Sequence, residues 1–158
     1  MQTTEIASLS DYEIERGKPM PSKNHGLLQG NLTGLLFAAY RQQYSILTEV
    51  TLELGEKIFT PDICIYPKMA FNALQDEVRL KQAPLTAIEI LSPTQGTEHF
   101  EGKFAHYFAH GIGSVWFVEP MIRTIAIFLP EQAMQVFHDT VLKDPYTQIE
   151  IDLREVFV

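Results

Sequence analysis

The sequence predicts an α/β protein in which a mixed β-sheet is flanked by helices. Apolar residues recur at helical spacing over residues 22–42, alternate over residues 45–66, and form nearly continuous runs at residues 84–91 and 114–119. A helical pattern separates the last two runs. Such a strand–helix–strand passage favours parallel pairing, because parallel strands need a crossover connection. Short turns join the other strand patterns, which favours antiparallel pairing elsewhere in the sheet.

Length and composition restrict the class of protein. The chain has 158 residues, a net charge of −8 and one cysteine. We expect a single domain over residues 1–158. Without a signal peptide, a disulfide or an apolar run near the roughly 20 residues of a membrane span, we expect a cytoplasmic protein with no membrane partner. The acidic balance argues against broad nucleic-acid binding, but it is compatible with a nuclease whose metal site is itself acidic.

The first elements are a predicted strand at residues 11–15 with a hairpin-like turn at residues 16–19. Glu13 on this strand lies either on a solvated face or near a metal site. The turn and the next element carry one local basic group, which is either an ordinary polar turn or a set of phosphate contacts. Its members are Arg16, Lys18 and Lys23.

A long helix is predicted from Ser22 to about residue 42, with one leucine-rich stripe. Ser22 and Asn24 are both plausible N-caps. Glycines at positions 26, 30 and 34 leave one helix face almost without side chains. Close packing on a sheet or on another copy of the helix would account for them. His25, at the helix start, is interpreted as a surface or capping residue, with a catalytic role as the alternative.

The alternating segments 45–53 and 58–66 predict an antiparallel hairpin. Asp62 lies on its second strand, on the face shared with Cys64 and Tyr66. Pro61 removes a ladder donor and therefore favours an edge or a bulge beside the aspartate. After this hairpin, Phe71, Leu74 and Val78 at helical spacing indicate a short helix.

Glu89 stands in the middle of the apolar strand pattern at residues 84–91, where a charge is unfavourable unless it is paired. The helix that follows, from about residue 98 to His110, ends at Gly111. Lys103 lies at the border of its aromatic stripe, so its ammonium group could reach the strand ends. Strands at 114–119, 124–129 and 132–138 and a helical turn at 152–157 complete the prediction.

Two acids and a lysine in these settings suit a metal-dependent phosphodiester site. Asp62, Glu89 and the backbone carbonyl of Ile90 would bind Mg²⁺ or Mn²⁺, which prefer oxygen ligands. Lys103 would orient or help deprotonate the attacking water. Ser92 and Gln95 could position water or phosphate. The structural alternatives stay open, with Asp62 as a turn residue, Glu89 in a buried ion pair with Lys103, or Lys103 simply solvated.

Several motifs carry a resemblance to a known family. They are Tyr12-Glu13-Ile14, His25-Gly26, Thr60-Pro61-Asp62-Ile63, Glu89-Ile90-Leu91-Ser92-Pro93-Thr94, Lys103 with Tyr107 and Gly111, and Val115 to Val118 with Pro120. Together they resemble domain-of-unknown-function family 820, bacterial proteins described as restriction endonucleases, within the PD-(D/E)XK nuclease superfamily. The resemblance covers residues 11 to about 128.

The resemblance implies a restriction-endonuclease-like core, metal bound by Asp62 and Glu89, and Lys103 as the catalytic lysine. Two positions depart from the pattern. Leu91 occupies the usual place of the superfamily's lysine, two residues after the glutamate, and His99 stands where the family tends to carry an aspartate. A lysine moved to the following helix, as in similar families, fits Lys103.

The first functional hypothesis is a metal-dependent endonuclease that hydrolyses DNA and works as a homodimer, with one site per strand. The second is a catalytically inactive copy of the fold that serves as an interaction or regulatory module, which the negative charge favours. The third is a metal-free hydrolase with two carboxylates, which would leave Lys103 without a role.

Overall fold

The computed structural model describes residues 20–93 and 100–158. Several expectations lie outside these residues. They concern the strand at 11–15, the turn at 16–19, the start of the second helix, and the roles of Glu13, Arg16, Lys18, Gln95 and His99.

The described residues form an α/β structure with mixed sheets flanked by helices, as predicted. Its helices are α1 (Lys23–Tyr40), α2 (Phe100–Ala109) and α3 (Leu153–Val156). The strands are β1 (Tyr44–Thr48), β2 (Thr51–Leu54), β3 (Lys57–Phe59), β4 (Ile63–Pro67), β5 (Arg79–Leu80), β6 (Thr86–Ile90), β7 (Ser114–Glu119), β8 (Thr124–Phe128), β9 (Gln135–His138), β10 (Val141–Lys143) and β11 (Glu150–Asp152). None of the helices within the described ranges is long and apolar enough to cross a bilayer.

One six-stranded sheet organises the molecule, with the strand order β1-β4-β6-β7-β8-β9. Strands β6 and β7 pair in parallel through the α2 crossover, which confirms the strand–helix–strand prediction. The other neighbours in this sheet pair antiparallel. A three-stranded sheet, β3-β2-β5, and a two-stranded sheet, β10-β11, complete the topology.

The six-stranded sheet separates two apolar clusters. Helix α1 contributes Leu28, Leu32 and Leu36 to one face, around Trp116. Helix α2 packs on the other face with Phe104 and Tyr107. Full burial of a large apolar side chain stabilises a fold by about 1.5–3 kcal/mol, so these stripes fix both helices on the sheet. The Ser22 side chain caps α1, because its hydroxyl accepts a hydrogen bond from the His25 N–H at 3.2 Å.

The predicted hairpin at 45–66 is present, but each of its arms is broken. Strand β1 pairs with β4 in the large sheet, whereas β2 pairs with β3 in the small one. Glu49 breaks the first arm, with a φ of 57° that no regular strand allows. The second arm breaks at Thr60-Pro61-Asp62, where proline removes a ladder donor. The expectation of an edge strand is wrong, since β4 lies between β1 and β6.

The short helix predicted around Phe71, Leu74 and Val78 is also wrong. This segment is irregular, and the three side chains are 95%, 96% and 89% exposed. Helical spacing alone does not stabilise a short helix, because most helical stability in proteins comes from packing of the apolar face. The sequence also gave no signal for β10 and β11, which are too short to show a period.

The glycine face of α1 points away from the sheet. A Cβ atom built on Gly26, Gly30 or Gly34 would meet nothing within 4 Å. Leu27 and Phe37 flank these glycines and are 51% and 52% exposed. Packing of this face on a sheet is therefore excluded within the described residues, and packing on another copy of the helix remains as the expectation.

Candidate active site

Asp62 lies immediately before strand β4. At this point the backbone hydrogen bonds between β4 and β6 end, and the Asp62 carboxylate accepts the next hydrogen bond from β6. The Ile90 N–H donates a 2.7 Å hydrogen bond to Asp62 Oδ2. Asp62 is 2% exposed. Since Pro61 ends the regular pairing, the aspartate side chain replaces a main-chain acceptor for the last residue of β6. The local sequence Pro-Asp thus fixes one acid at the end of the sheet.

Glu89 is the cross-strand neighbour of Asp62. The register pairs Ile63 with Ile88, so the next residues outward on β4 and β6 are Asp62 and Glu89. Glu89 is 4% exposed and follows Ala87 on the face that packs against α2. The two predicted acids therefore lie at the same end of the sheet, with Asp62 one residue before β4 and Glu89 within β6.

Helix α2 supplies two partners for Glu89 from successive turns. Lys103 Nζ lies 2.8 Å from Glu89 Oε1, and the Tyr107 hydroxyl donates a 2.7 Å hydrogen bond to the same oxygen. The ammonium group also lies 5.7 Å and 5.8 Å from the ring centroids of Phe100 and Tyr107. Residues four apart share a helix face, which explains the joint approach. The prediction that Lys103 reaches the strand ends is confirmed.

Tyr107 is held in its neutral form. Burial raises the pKa of its hydroxyl far above the ordinary value, and the charge of Glu89 and the hydrogen bond to it raise the pKa further. The negative charge of Asp62 contributes in the same direction. Tyr107 is therefore a permanent hydrogen-bond donor to Glu89.

His25 is a residue that the sequence left undecided and that the structure places in the site. Its side chain is 4% exposed, and its Nε2 lies 3.1 Å from Asp62 Oδ1. The surface interpretation is wrong. Within the described residues, Nδ1 is buried without a hydrogen-bond partner. A usable signal existed, because His25 precedes Leu28, Leu32 and Leu36 at three- and four-residue spacing on the buried stripe.

Gln29 is a contact that sequence reasoning missed. Its Nε2 donates hydrogen bonds to the Asp62 carbonyl at 2.9 Å and to Glu49 Oε1 at 3.3 Å. It follows His25 by one helical turn, so the two residues hold the Asp62 backbone and side chain from α1. Asp62 is thus contacted from the α1 side and Glu89 from the α2 side.

Of the remaining predicted site residues that the structure describes, two lie in or beside the site and one is exposed. Ile90 lies in the site through its N–H, and Ser92 is buried just beyond it. Lys23 is exposed at the start of α1. The described part of the chain contains no group of three or more His, Cys, Asp or Glu side chains arranged to hold a metal ion.

A cavity of about 410 Å³ is lined in part by His25, which contacts Asp62. Three segments form its walls, namely the first turn of α1 at residues 22–25, the segment 91–93 after β6, and the turn 119–122 after β7. His25 belongs to this wall and also contacts Asp62. The cavity therefore lies one side chain away from the carboxylates.

A third buried carboxylate, Asp144, lies outside this site. Its Oδ2 accepts hydrogen bonds from the Ser114 hydroxyl at 2.6 Å and the Trp116 ring nitrogen at 2.8 Å. Its Oδ1 accepts from the N–H groups of Tyr146 and Thr147. Four donors fix the β10–β11 turn on β7, which indicates a structural role.

Comparison with known proteins gives two findings. Residues 2–154 match the sequence profile of a family named Uma2 with the description "Putative restriction endonuclease". The solved structure of "a putative nuclease belonging to DUF820" from Anabaena variabilis ATCC 29413 has a similar fold, with a TM-score of 0.76 and 22% identity. The similarity covers 88% of this chain and 83% of that chain, and it concerns the fold alone. No curated protein matches the sequence.

Proposed function

This chain belongs to the Uma2 family, which carries the description "Putative restriction endonuclease", and on that premise we propose that it is a metal-dependent endonuclease that hydrolyses DNA. The observation that supports the proposal is the contact of Lys103 Nζ with Glu89 at 2.8 Å, at the end of the sheet where Asp62 precedes β4. This is the acid, acid and lysine set that the sequence singled out. Three separate elements, β4, β6 and α2, contribute to it.

The donor set fits Mg²⁺ or Mn²⁺. Asp62 and Glu89 provide carboxylate oxygens, which these hard cations prefer. Lys103 and Tyr107 both contact Oε1 of Glu89, so Oε2 is the oxygen that would bind the cation. The carbonyl of Ile90 is the third candidate ligand, since paired strand residues direct their N–H and C=O the same way and the Ile90 N–H faces Asp62. When bound, the cation offsets charge on phosphate oxygens and acidifies water.

The side chains around the two acids would have separate roles in this reaction. Lys103 places its amino group at Glu89, where it can orient the attacking water, help deprotonate it and stabilise charge that develops on the phosphate. Tyr107 keeps the Glu89 side chain in one rotamer through its hydrogen bond. His25 and the Ile90 N–H fix the two oxygens of Asp62. Each of these contacts orients an acid before substrate arrives.

A homodimer would place one such site on each DNA strand. We assign the contact to the outward face of α1, because this face is self-complementary. Leu27 and Phe37 lie five residues on either side of Leu32, and Gly30 and Gly34 lie two residues on either side. In an antiparallel pair of α1 helices, each leucine would meet a phenylalanine and the glycines would allow close approach.

A specific observation favours the second candidate, an inactive interaction or regulatory module. Both carboxylate oxygens of Asp62 have protein partners, and His25 and Lys103 hold the two acids from opposite sides of the sheet. A cation would have to displace or share the His25 contact. If the acids serve only as buried hydrogen-bonded groups, they would stabilise the fold without binding metal.

Calorimetric titration of Mg²⁺ and Mn²⁺ tests the proposal. The wild type should bind at least one of them, and Asp62→Asn and Glu89→Gln should each remove the binding heat while retaining the fold by circular dichroism. The matched control is Asp76→Asn, which removes a carboxylate on an exposed loop outside the site. Equal or absent heats in the wild type and both site variants would support the inactive module.

Nicking of supercoiled plasmid in the same buffers then tests turnover. Cleavage by the wild type that requires Mg²⁺ or Mn²⁺ and disappears in Asp62→Asn and Glu89→Gln is the expected result. Cation binding without cleavage of any DNA would contradict the endonuclease while keeping the metal site.

A further inference from the structure

We propose that the cavity beside His25 holds one unstacked nucleobase of the substrate strand, adjacent to the phosphate that is cut. This inference rests on the proposed function, because it names how the same site grips its substrate. Three observations carry it: the place of the cavity in the sheet, the charge of its walls, and the apolar tip at its entrance.

The cavity lies at the carboxyl ends of the parallel pair. Strand β6 ends at Ile90 and continues into the wall at residues 91–93, and β7 ends at Glu119 and continues into the wall at residues 119–122. In open α/β sheets, ligands bind in the crevice outside the carboxyl ends of parallel strands. Its volume of about 410 Å³ falls within the roughly 300–1,000 Å³ of small-molecule sites. It is therefore large enough for a base.

The walls favour a neutral, flat group over a phosphate. Among the residues that the structure describes, no Lys or Arg lines the cavity, whereas Glu119 does. A phosphate placed there would meet a negative charge. Asn24 and Glu119 instead provide donors and acceptors of the kind that pair with the edge of a base.

The entrance carries an apolar tip on a tight turn. Met121 and Ile122 are 90% and 59% exposed, although both are large apolar side chains. The turn is fixed, because the Met121 N–H donates to Glu119 Oε1 at 3.0 Å and the Arg123 N–H donates to the Pro120 carbonyl at 3.3 Å. Proteins insert Met, Ile and Pro side chains of this kind between base steps and unstack them. The tip can thus separate a base from its neighbour, and the cavity behind it can receive that base.

The position of His25 links the base to the chemistry. His25 lines the cavity and lies 3.1 Å from Asp62, so a base held there is one side chain away from the acid pair. Its sugar and phosphate would extend toward Asp62 and Glu89. Apolar contact with one base also gives binding energy that does not depend on a basic groove, which suits a chain of net charge −8.

Binding of short fluorescein-labelled single-stranded DNA, measured by anisotropy in EDTA so that nothing is cleaved, tests the inference. An abasic position is moved along the oligonucleotide one nucleotide at a time. We expect about tenfold weaker binding when the abasic site falls at one position and little change elsewhere, since one stacked base contributes about 1–3 kcal/mol. Equal binding at all positions would overturn the inference.

Variants then locate the effect. Met121→Ser and Ile122→Ser should each bind the intact strand about tenfold more weakly than the wild type does. Each variant should bind the intact strand and the strand with the abasic site at the sensitive position equally well, because the contact with that base is already lost. Both residues are exposed, so the fold is retained. The matched control is Met134→Ser, 55% exposed and outside the cavity, which should behave as the wild type. Full sensitivity to the abasic site in Met121→Ser and Ile122→Ser would place the base elsewhere and overturn the inference.

The outcomes separate this inference from the proposed function. Plasmid cleavage without any position-dependent abasic effect would contradict the base pocket and support the endonuclease. A position-dependent abasic effect without plasmid cleavage would contradict the endonuclease and support the base pocket. If the tip and the cavity bind a peptide segment of a protein partner instead, no oligonucleotide binds, and the base pocket is overturned.

Discussion

Lys103 Nζ lies 2.8 Å from Glu89 Oε1, and the two side chains are 24% and 6% exposed. An ion pair of this kind serves a structural role, a catalytic role or both. The two roles can be separated, because they require different properties of the side chain at position 103. A structural role needs a positive charge at that position, whereas assistance to water needs a group that can exchange a proton.

Lys103→Arg should therefore retain most of the stability and lose most of the cleavage. Arginine keeps the charge but is not deprotonated in proteins. We expect cleavage to fall about 100-fold or more, in line with the roughly 10²–10⁴ of acid–base groups. Lys103→Met should in addition lower the free energy of unfolding by about 1–3 kcal/mol, because it leaves a buried carboxylate without its cation. Plasmid nicking and urea unfolding measure the two effects.

The matched control for both variants is Lys143→Met. Lys143 pairs with Glu150 at 3.8 Å, and both side chains are 55% exposed, so the pair should contribute no more than about 0–1 kcal/mol. Wild-type cleavage by Lys103→Arg would show that only the charge is needed and would remove proton exchange from the role of Lys103.

His25→Ala tests whether α1 orients Asp62 for a cation. The variant loses the contact at Asp62 Oδ1 but leaves both acids in place. Loss of a residue that orients a metal ligand typically lowers metal affinity about 10–100-fold, and we expect a weakening in that range by calorimetry with Mn²⁺. His138→Ala, an exposed histidine on β9, is the control. Tighter binding in His25→Ala would instead mean that His25 competes with the cation for Asp62.

The contact between Lys103 and Glu89 could be predicted from the sequence because its signals were local. A proline before an aspartate and a glutamate inside an apolar run are visible without a structure, and Lys103 follows from helical spacing. The His25 contact was undecided because the partner, Asp62, lies on another element. The broken hairpin was missed because the positive φ of Glu49 depends on how β1 and β2 divide between two sheets.

Asp144→Ala should lower stability without affecting the site. The variant leaves the Ser114 hydroxyl, the Trp116 ring N–H and two backbone N–H groups without their acceptor in a fully buried position. We expect a loss of about 3–5 kcal/mol in the free energy of unfolding, because several buried donors lose a charged partner together. Asp76→Ala on an exposed loop should change it by no more than about 0.5 kcal/mol. Near-equal stability of the two variants would contradict the role given to Asp144.

Tyr66→Phe should reduce the loss of stability at alkaline pH. Burial raises the pKa of the Tyr66 hydroxyl above its ordinary value, and the charges of Cys64 and Glu77 raise it further. The hydroxyl also donates a 2.7 Å hydrogen bond to the Gln82 carbonyl. Above pH of about 10 the unfolded chain loses this proton while the folded chain keeps it, so stability falls as pH rises.

Urea unfolding of both proteins from pH of about 7 to about 11 measures this effect. The stability difference between wild type and Tyr66→Phe should be constant below pH of about 9 and should then shrink by at most about 1.4 kcal/mol per pH unit, the limit for one proton. A difference that stays constant to the highest pH would show that the hydroxyl ionises equally in both states.

Gly30→Leu separates assembly from folding at the outward face of α1. In the monomer a Cβ atom at this position meets nothing within 4 Å among the described residues, and replacing glycine in a helix stabilises it by up to about 1 kcal/mol. Between two antiparallel α1 helices the same side chain would occupy the space that Gly34 of a second copy leaves open. Light scattering after gel filtration should show a concentration-dependent dimer for the wild type and a monomer of equal or higher melting temperature for the variant. Ile58→Leu, at a 49% exposed position on β3, should remain dimeric. A variant that dimerises as the wild type does would place the dimer contact on another surface, since a leucine at this position cannot be accommodated between closely packed helices.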